Sequence, residues 1–356
     1  MSKVFTPKEY ILIDIANHAG FDKLSYEARI STAINMVDSI EMGAIDIEGY
    51  MAYEQVDSPY ELKNALKAYF DDDMHHVVGL DAVNQALQLY GVLTADLATS
   101  SLASLGVNAR TDAYHLLSDE LNRSIGTSLF NRNNCKKSLM ITLYGSTVAY
   151  TKVLEALKVS DQMELAELCG LPEGSYHDDW FETEFNLAMA KIAPKAMEAM
   201  ECMQELNDPE IGTYEWVMPD GFKVKYDVKS TQSVEIKATS RTGINFSYNA
   251  SHKVYAPSEF NRGMSPNIIH SVDGYVARQM VRKMDGRFIS TIHDQFNCKA
   301  VDCAFMQECY KEIMVELLES DLLNNIMQQI NPKARLISKS NTLTKEMIME
   351  SSYAIS

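Results

Sequence analysis

Two carboxylates at the ends of short apolar runs, a pair of cations four residues apart and an aromatic ring beyond them are the residues with the clearest chemistry to offer. Asp81 ends the run Val77-Val78-Gly79-Leu80, and Asp294 follows His293 in the middle of Arg287 to Val301, a stretch rich in β-branched and aromatic residues. Those flanks predict two short strands with His293-Asp294 at or beside their turn. A carboxylate on a tight hairpin is rigidly placed and exposed, which suits a ligand that holds a hard cation against a substrate phosphate; the plain alternative is a turn residue. Asp81 lies where the strand gives way to the helical spacing of Leu87, Tyr90 and Leu93, so it is either a second metal ligand or the N-cap of that helix. If the segment from Asn131 is helical, Arg132 and Lys136 stand about 40° apart around its axis and form one basic face. Two cations in line can clamp a triphosphate, and Tyr144, two turns on, offers a base a ring to stack against, with Gly145 as the helix stop. The alternative is a solvated basic patch. Lys23, in Ala19-Gly-Phe-Asp-Lys23, is either a surface lysine or a phosphate contact, and His270 either a structural histidine or a donor to a ribose hydroxyl at a helix start.

Residues 8 to 70 must supply much of the scaffold, since apolar residues such as Ile11, Ile15, Ile30, Ala33 and Met36 recur at helical spacing. Helices with an acidic surface are expected from 152 to 212, and irregular β with a Pro219-Asp-Gly-Phe222 turn from 214 to 260. A polar, turn-rich segment from Asn261 to Gly274 then leads to an apolar helix through Val276, Met280 and Met284, and an amphipathic helix runs from Val301 to Leu323. With 356 residues and 46% hydrophobic content the chain can bury a large core. No apolar run of about 18 residues and no secretory leader is present, so a soluble protein that does not engage a membrane is expected. The six cysteines are scattered, without a Cys-x-x-Cys pair, which predicts reduced thiols in a cytoplasm. A net charge of −17 excludes a surface that is a nucleic-acid platform all over; phosphate contacts require the basic residues in one cleft or on another chain.

The order of these pieces, a strand-borne Asp, an Arg/Lys helix closing in Tyr-Gly and His-Asp on a hairpin, resembles the phage-type (T7-like) single-subunit DNA-directed RNA polymerases. Further blocks in family order are Ala19 to Lys23, Glu54-Gln-Val-Asp-Ser-Pro59, Asp81 to Asp96, Pro219 to Phe222, Ser265-Pro-Asn-Ile-Ile-His-Ser-Val-Asp-Gly274, Ile292 to Phe296 and the Ser352-Tyr-Ala-Ile-Ser356 tail. The resemblance implies an α+β right-hand polymerase, mostly helical with a small antiparallel palm sheet. Its parts are palm with motif A over 1–109, fingers with motif B over 110–269, and palm with motif C and a C-terminal foot over 270–356. It implies nucleotidyl transfer from NTPs to an RNA 3′-hydroxyl on a DNA template, with two Mg²⁺ ions held by Asp81 and Asp294. Arg132 and Lys136 then resemble the triphosphate clamp, Lys23 a further phosphate contact, Tyr144 the ring over the nascent base pair, and His270 the residue near the 2′-hydroxyl. Ala86 stands where the related DNA polymerases carry a bulky Glu, which with His270 favours ribonucleotides over that alternative. The pattern begins at a block the full-length enzymes place after a long N-terminal part. A second subunit supplying that part and the thumb is therefore expected, as in the heterodimeric polymerases of N-four-type phages, at work in the cytoplasm of an infected bacterium. A helical His-Asp phosphohydrolase and a non-catalytic nucleic-acid-binding or assembly subunit are the other readings.

Overall fold

The computed structural model describes residues 4–53, 56, 58–170, 178–239, 241–243, 245–259 and 262–356. Among these, seven strands pair into three antiparallel sheets: β1 (Val77–Asp81), β2 (Thr213–Val217), β3 (Lys223–Asp227), β4 (Lys229–Thr239), β5 (Asn245–Tyr255), β6 (Ile289–Ile292) and β7 (Gln295–Lys299). Helices make up most of the remainder, and the chain divides into two compact units, one of Met1–Ala113, Asp273–Ser320 and Ser340–Ser356, the other of Tyr114–Val272 and Asp321–Lys339. No helix of the described residues is long and apolar enough to cross a membrane, and all six cysteines are free thiols.

In the first unit, the helix Pro7–Ala16 begins in a capping box: Thr6 accepts from the Glu9 N–H while the Glu9 carboxylate takes the Thr6 N–H at 2.7 Å. That helix buries Tyr10 through Ala16 beside the helices Tyr26–Glu41 and Pro59–Phe70. The three-stranded sheet has the order β1-β7-β6. Val78 and Leu80 of β1 and Phe296 and Cys298 of β7 are fully buried. Their period of two turns one face of the sheet to the core, where each large apolar side chain contributes about 1.5–3 kcal/mol. Val77, expected inside, is 43% exposed.

Behind the sheet, the wholly buried helix Gln85–Thr94 meets the helix Cys303–Glu319. There Tyr310 donates to Gln88 Oε1 at 2.5 Å, and Gln88 Nε2 donates to the carbonyls of Ala103 and Ala354. Such a buried amide earns its place only when fully bonded, as it is here. The expected amphipathic stretch from Val301 to Leu323 is thus a helix over Cys303–Glu319, with a second starting at Leu322.

In the second unit, the helices expected between 152 and 212 are present, and β2 and β3 are joined through the Pro219 to Phe222 turn. Trp216 of β2 is buried and donates to Ser271 Oγ at 3.1 Å. The segment read as irregular also contains β4 and β5, eleven residues each and exposed along almost their whole length. A hairpin so exposed rests on its ladder and cross-strand pairs alone.

Candidate active site

Asp294 sits in the two-residue turn between β6 and β7, as the strand-forming flanks predict, with His293 at φ 55° supplying the left-handed step. The register of β1 on β7 then fixes its neighbour. Asp81 lies opposite Gln295, and the Ala82 N–H donates to the Asp294 carbonyl at 3.1 Å. Two residues more than two hundred positions apart are thereby placed side by side on one sheet. The carbonyl of Asp81 accepts from the Ser356 N–H at 2.9 Å, and Ala82 bridges Ile355.

The N-cap reading of Asp81 fails. The helix after it starts at Gln85, and its cap is Asn84, whose side chain accepts from the Leu87 N–H. Ala86 is the second residue of that helix and is 6% exposed.

Burial, and then the charge of Asp294, push the Asp81 carboxyl up to about 6, with Lys23 pulling the other way. Asp81 is open by surface area, while protein surrounds much of its carboxylate. Burial likewise raises Asp294. Repulsion between two charges is mutual, so the pair is best regarded as titrating together. Burial thus raises both carboxyls, and the charge of Asp294 adds to the rise at Asp81. Hard oxygens of this kind suit Mg²⁺, which one or two carboxylates hold while substrate phosphates and water complete the shell. No larger cluster of His, Cys, Asp and Glu gathers among the described residues.

A test of the repulsion follows. Asp81 has an ordinary pKa of 3.8 and a higher one in the folded chain, so its contribution to stability is full below the ordinary value and lost as pH rises through about 6. In metal-free buffer, Asp81→Asn is expected to raise the urea midpoint at about pH 7.5 and to leave it unchanged at about pH 3.5. Added Mg²⁺ should then raise the parent's midpoint and not the variant's. Equal midpoints for parent and variant at neutral pH would show that the carboxyl is not raised in the folded chain.

Lys23 is exposed, bonded to Asp22, and close enough for its charge to act on Asp81. The other cations lie in the second unit. Arg132 opens the helix Arg132–Thr142, which Asn131 caps, and its guanidinium lies 5.2 Å from the Tyr114 ring centroid. Lys136 is exposed one turn on, while Cys135, Ser138, Leu139 and Thr142 face inward. The basic face is therefore real. Past the end of the helix, Gly145 takes φ 80°, a left-handed step that stops it as expected.

Tyr144 and His270 come together, their rings stacked at 4.9 Å and 9°. His270 does not sit where a helix begins. The helix runs Met264–Lys283, because Ser265 and Pro266 fall in its first turn, where a missing N–H costs nothing. The expected turn-rich stretch is thus helical from Met264. Glu54, Gln55, Asp57 and Asn261 lie outside the described residues.

His76, of the His75-His76 pair, belongs to the scaffold. His76 bonds the buried Asp14 at 2.9 Å, and His18 bonds it at 3.3 Å. Burial would raise the Asp14 carboxyl, but these two histidines hold it below the ordinary value. His293-Asp294 in a turn between strands gives the helical phosphohydrolase reading no support.

Sequence reasoning missed one basic element, the hairpin of β4 and β5. Lys229, Lys237, Arg241 and Lys253 face one acid, Glu235, between residues 229 and 255, and Phe246, Tyr248 and Tyr255 are exposed among them. The alternation Val234, Ile236, Ala238 was the available signal.

A sequence profile of the family described as DNA-dependent RNA polymerase matches residues 7–354. The chain is also 23% identical over 365 aligned positions to DNA-directed RNA polymerase 1, mitochondrial, of Arabidopsis thaliana. That similarity covers 90% of this chain and 36% of the Arabidopsis protein, so the chain spans about a third of its relative's length.

Proposed function

Because the chain belongs to the DNA-dependent RNA polymerase family, we propose that it carries the nucleotidyl-transfer centre of such an enzyme, extending an RNA 3′-hydroxyl with NTPs on a DNA template. The observation that carries this reading is the β1–β7 register, which brings Asp81 and Asp294 together at the end of one sheet. Asp81 and Asp294 would hold Mg²⁺. When bound, a pair of such ions supplies activation of the attacking hydroxyl and stabilisation of the leaving pyrophosphate.

The unit with the three-stranded sheet is the palm in this reading, and the unit with the helix Arg132–Thr142 belongs to the fingers. Arg132 and Lys136 take the triphosphate, whose charge suits a bidentate guanidinium and a point-charge ammonium in line. Lys23 adds a cation near Asp81. The Tyr144 ring, 37% exposed and backed by His270, offers a flat platform to the nascent base pair. The small side chain of Ala86 leaves the sugar edge uncrowded, which favours ribonucleotides.

The basic hairpin of β4 and β5 eases the conflict between an acidic chain and polyanionic partners, since positive charge is concentrated where aromatic rings are also open. Phosphate contact there should show as a salt dependence of template binding that weakens when Lys237, Arg241 and Lys253 are replaced by Gln.

We also propose that the polymerase parts beyond this third of the relative's length lie on further polypeptide. The similarity to the mitochondrial enzyme gives the second-subunit arrangement no support over a single longer chain. The purified chain is expected to add only a few nucleotides to a preformed RNA–DNA hybrid and to become processive when the missing polypeptide is supplied. Processive synthesis by the chain alone would refute that part, and no addition under any pairing would refute the catalytic reading.

A further inference from the structure

The segment that carries Asp22 and Lys23 is tied from behind by a buried side chain, Arg29. After the helix Pro7–Ala16 the chain makes a π-helical turn over Asn17–Phe21, where Gly20 takes φ 86°, and it then reaches Asp22 and Lys23 before the helix Tyr26–Glu41 begins. Arg29 lies on that second helix and is fully buried. Its Nη1 donates to Asn17 Oδ1 at 3.0 Å, and its Nε donates to the Leu24 carbonyl at 2.9 Å. One guanidinium thus ties the two ends of the turn together across its mouth.

Arg29 is a costly choice for a core position. Its Nη2 has no hydrogen-bond partner, and no carboxylate stands within ion-pair distance of it among the described residues. Its guanidinium lies 5.1 Å from the Tyr26 ring centroid. Burial, reinforced by the nearby Arg110, pulls its pKa down to about 10. A buried cation with an unbonded donor and no paired carboxylate costs stability. The Leu24 N–H closes on the Phe21 carbonyl within the turn, and the rigid fork of Arg29 adds two fixed points at its ends.

We infer that Arg29 is the positioning residue for Lys23, setting the turn so that its ammonium meets the phosphates of the incoming nucleotide. The inference rests on the reading of Lys23 as a phosphate contact. Asn17 shares the task from the other end, as the acceptor of the Nη1 bond.

The test is a double-substitution cycle in the active enzyme, with KM for NTP and kcat measured separately on a preformed RNA–DNA hybrid. Lys23→Ala is expected to raise KM about tenfold, as the loss of one charge-assisted contact does. Arg29→Lys keeps the positive charge and loses the fork, so it should raise KM by a similar factor with kcat within about threefold. In the Lys23→Ala background, Arg29→Lys should add nothing. If Arg29→Lys fails to fold, Asn17→Ala removes the same bond from a half-buried position and should reproduce the KM effect.

Multiplying effects in the double variant, or a parental KM for both Arg29→Lys and Asn17→Ala while Lys23→Ala raises it, would overturn the inference. A parental KM for Lys23→Ala would instead remove the phosphate contact, and the positioning role with it.

Discussion

Asp81→Asn and Asp294→Asn are each expected to lower nucleotide addition by at least about a thousandfold, the loss that roughly 4 kcal/mol of transition-state stabilisation represents. Asn keeps the shape of the side chain and removes the charge on which a divalent cation depends. The fold should survive both changes. Asp81 is placed by its backbone, through the β1–β7 ladder and the Ser356 N–H, and Asp294 by the hairpin turn, so neither side chain is needed to hold the site together. Template binding should also persist, because in our reading it draws on basic residues elsewhere. Single-turnover extension in saturating Mg²⁺, beside a binding measurement on the same preparations, separates chemistry from folding. A rate within tenfold of the parent for either variant would exclude that residue as a metal ligand.

The second large effect concerns the sugar. Ala86→Glu is expected to shift the preference between UTP and dTTP toward the deoxynucleotide by about a hundredfold, which corresponds to roughly 2.7 kcal/mol of selective exclusion. Ala86 sits at the second position of a wholly buried helix, so a longer side chain must turn toward the open edge near Asp81 or strain the packing behind it. Ala86→Gln has nearly the same length without the charge and should shift the preference in the same direction. Unfolding midpoints report the packing cost independently. An unchanged UTP to dTTP ratio in both variants would take Ala86 out of the sugar pocket.

What the sequence made legible was governed by local rules. The β-branched flanks of His293-Asp294 announced their hairpin, and the four-residue spacing of Arg132 and Lys136 announced a basic helix face, because period and turn chemistry act over a few residues. The two readings of Asp81 could not be separated locally, since a strand end before a helix looks alike in both. Asn84 takes the cap and so removes one of the two. His270 was misplaced because proline was read as a break, although within a first turn it is a start. The hairpin of β4 and β5 escaped because neither face is buried, so hydrophobic contrast is weak along it. Arg29 was invisible for a different reason: its meaning lies in two acceptors, Asn17 and Leu24, that only the folded turn brings to its fork.

The order β1-β7-β6 also has a consequence in time. Its first strand ends at residue 81 and its partner begins at residue 295, so more than two hundred residues must be synthesised between them before the two can pair. Until then β1 is an unpaired strand with Val78 and Leu80 exposed, the kind of segment that associates with other chains. Long-range pairing of this sort also folds slowly. Nascent chains stalled before residue 295 should therefore lack the protease-resistant sheet and engage chaperones through β1. In our reading, a chain ended before residue 295 lacks Asp294 and cannot assemble the carboxylate pair.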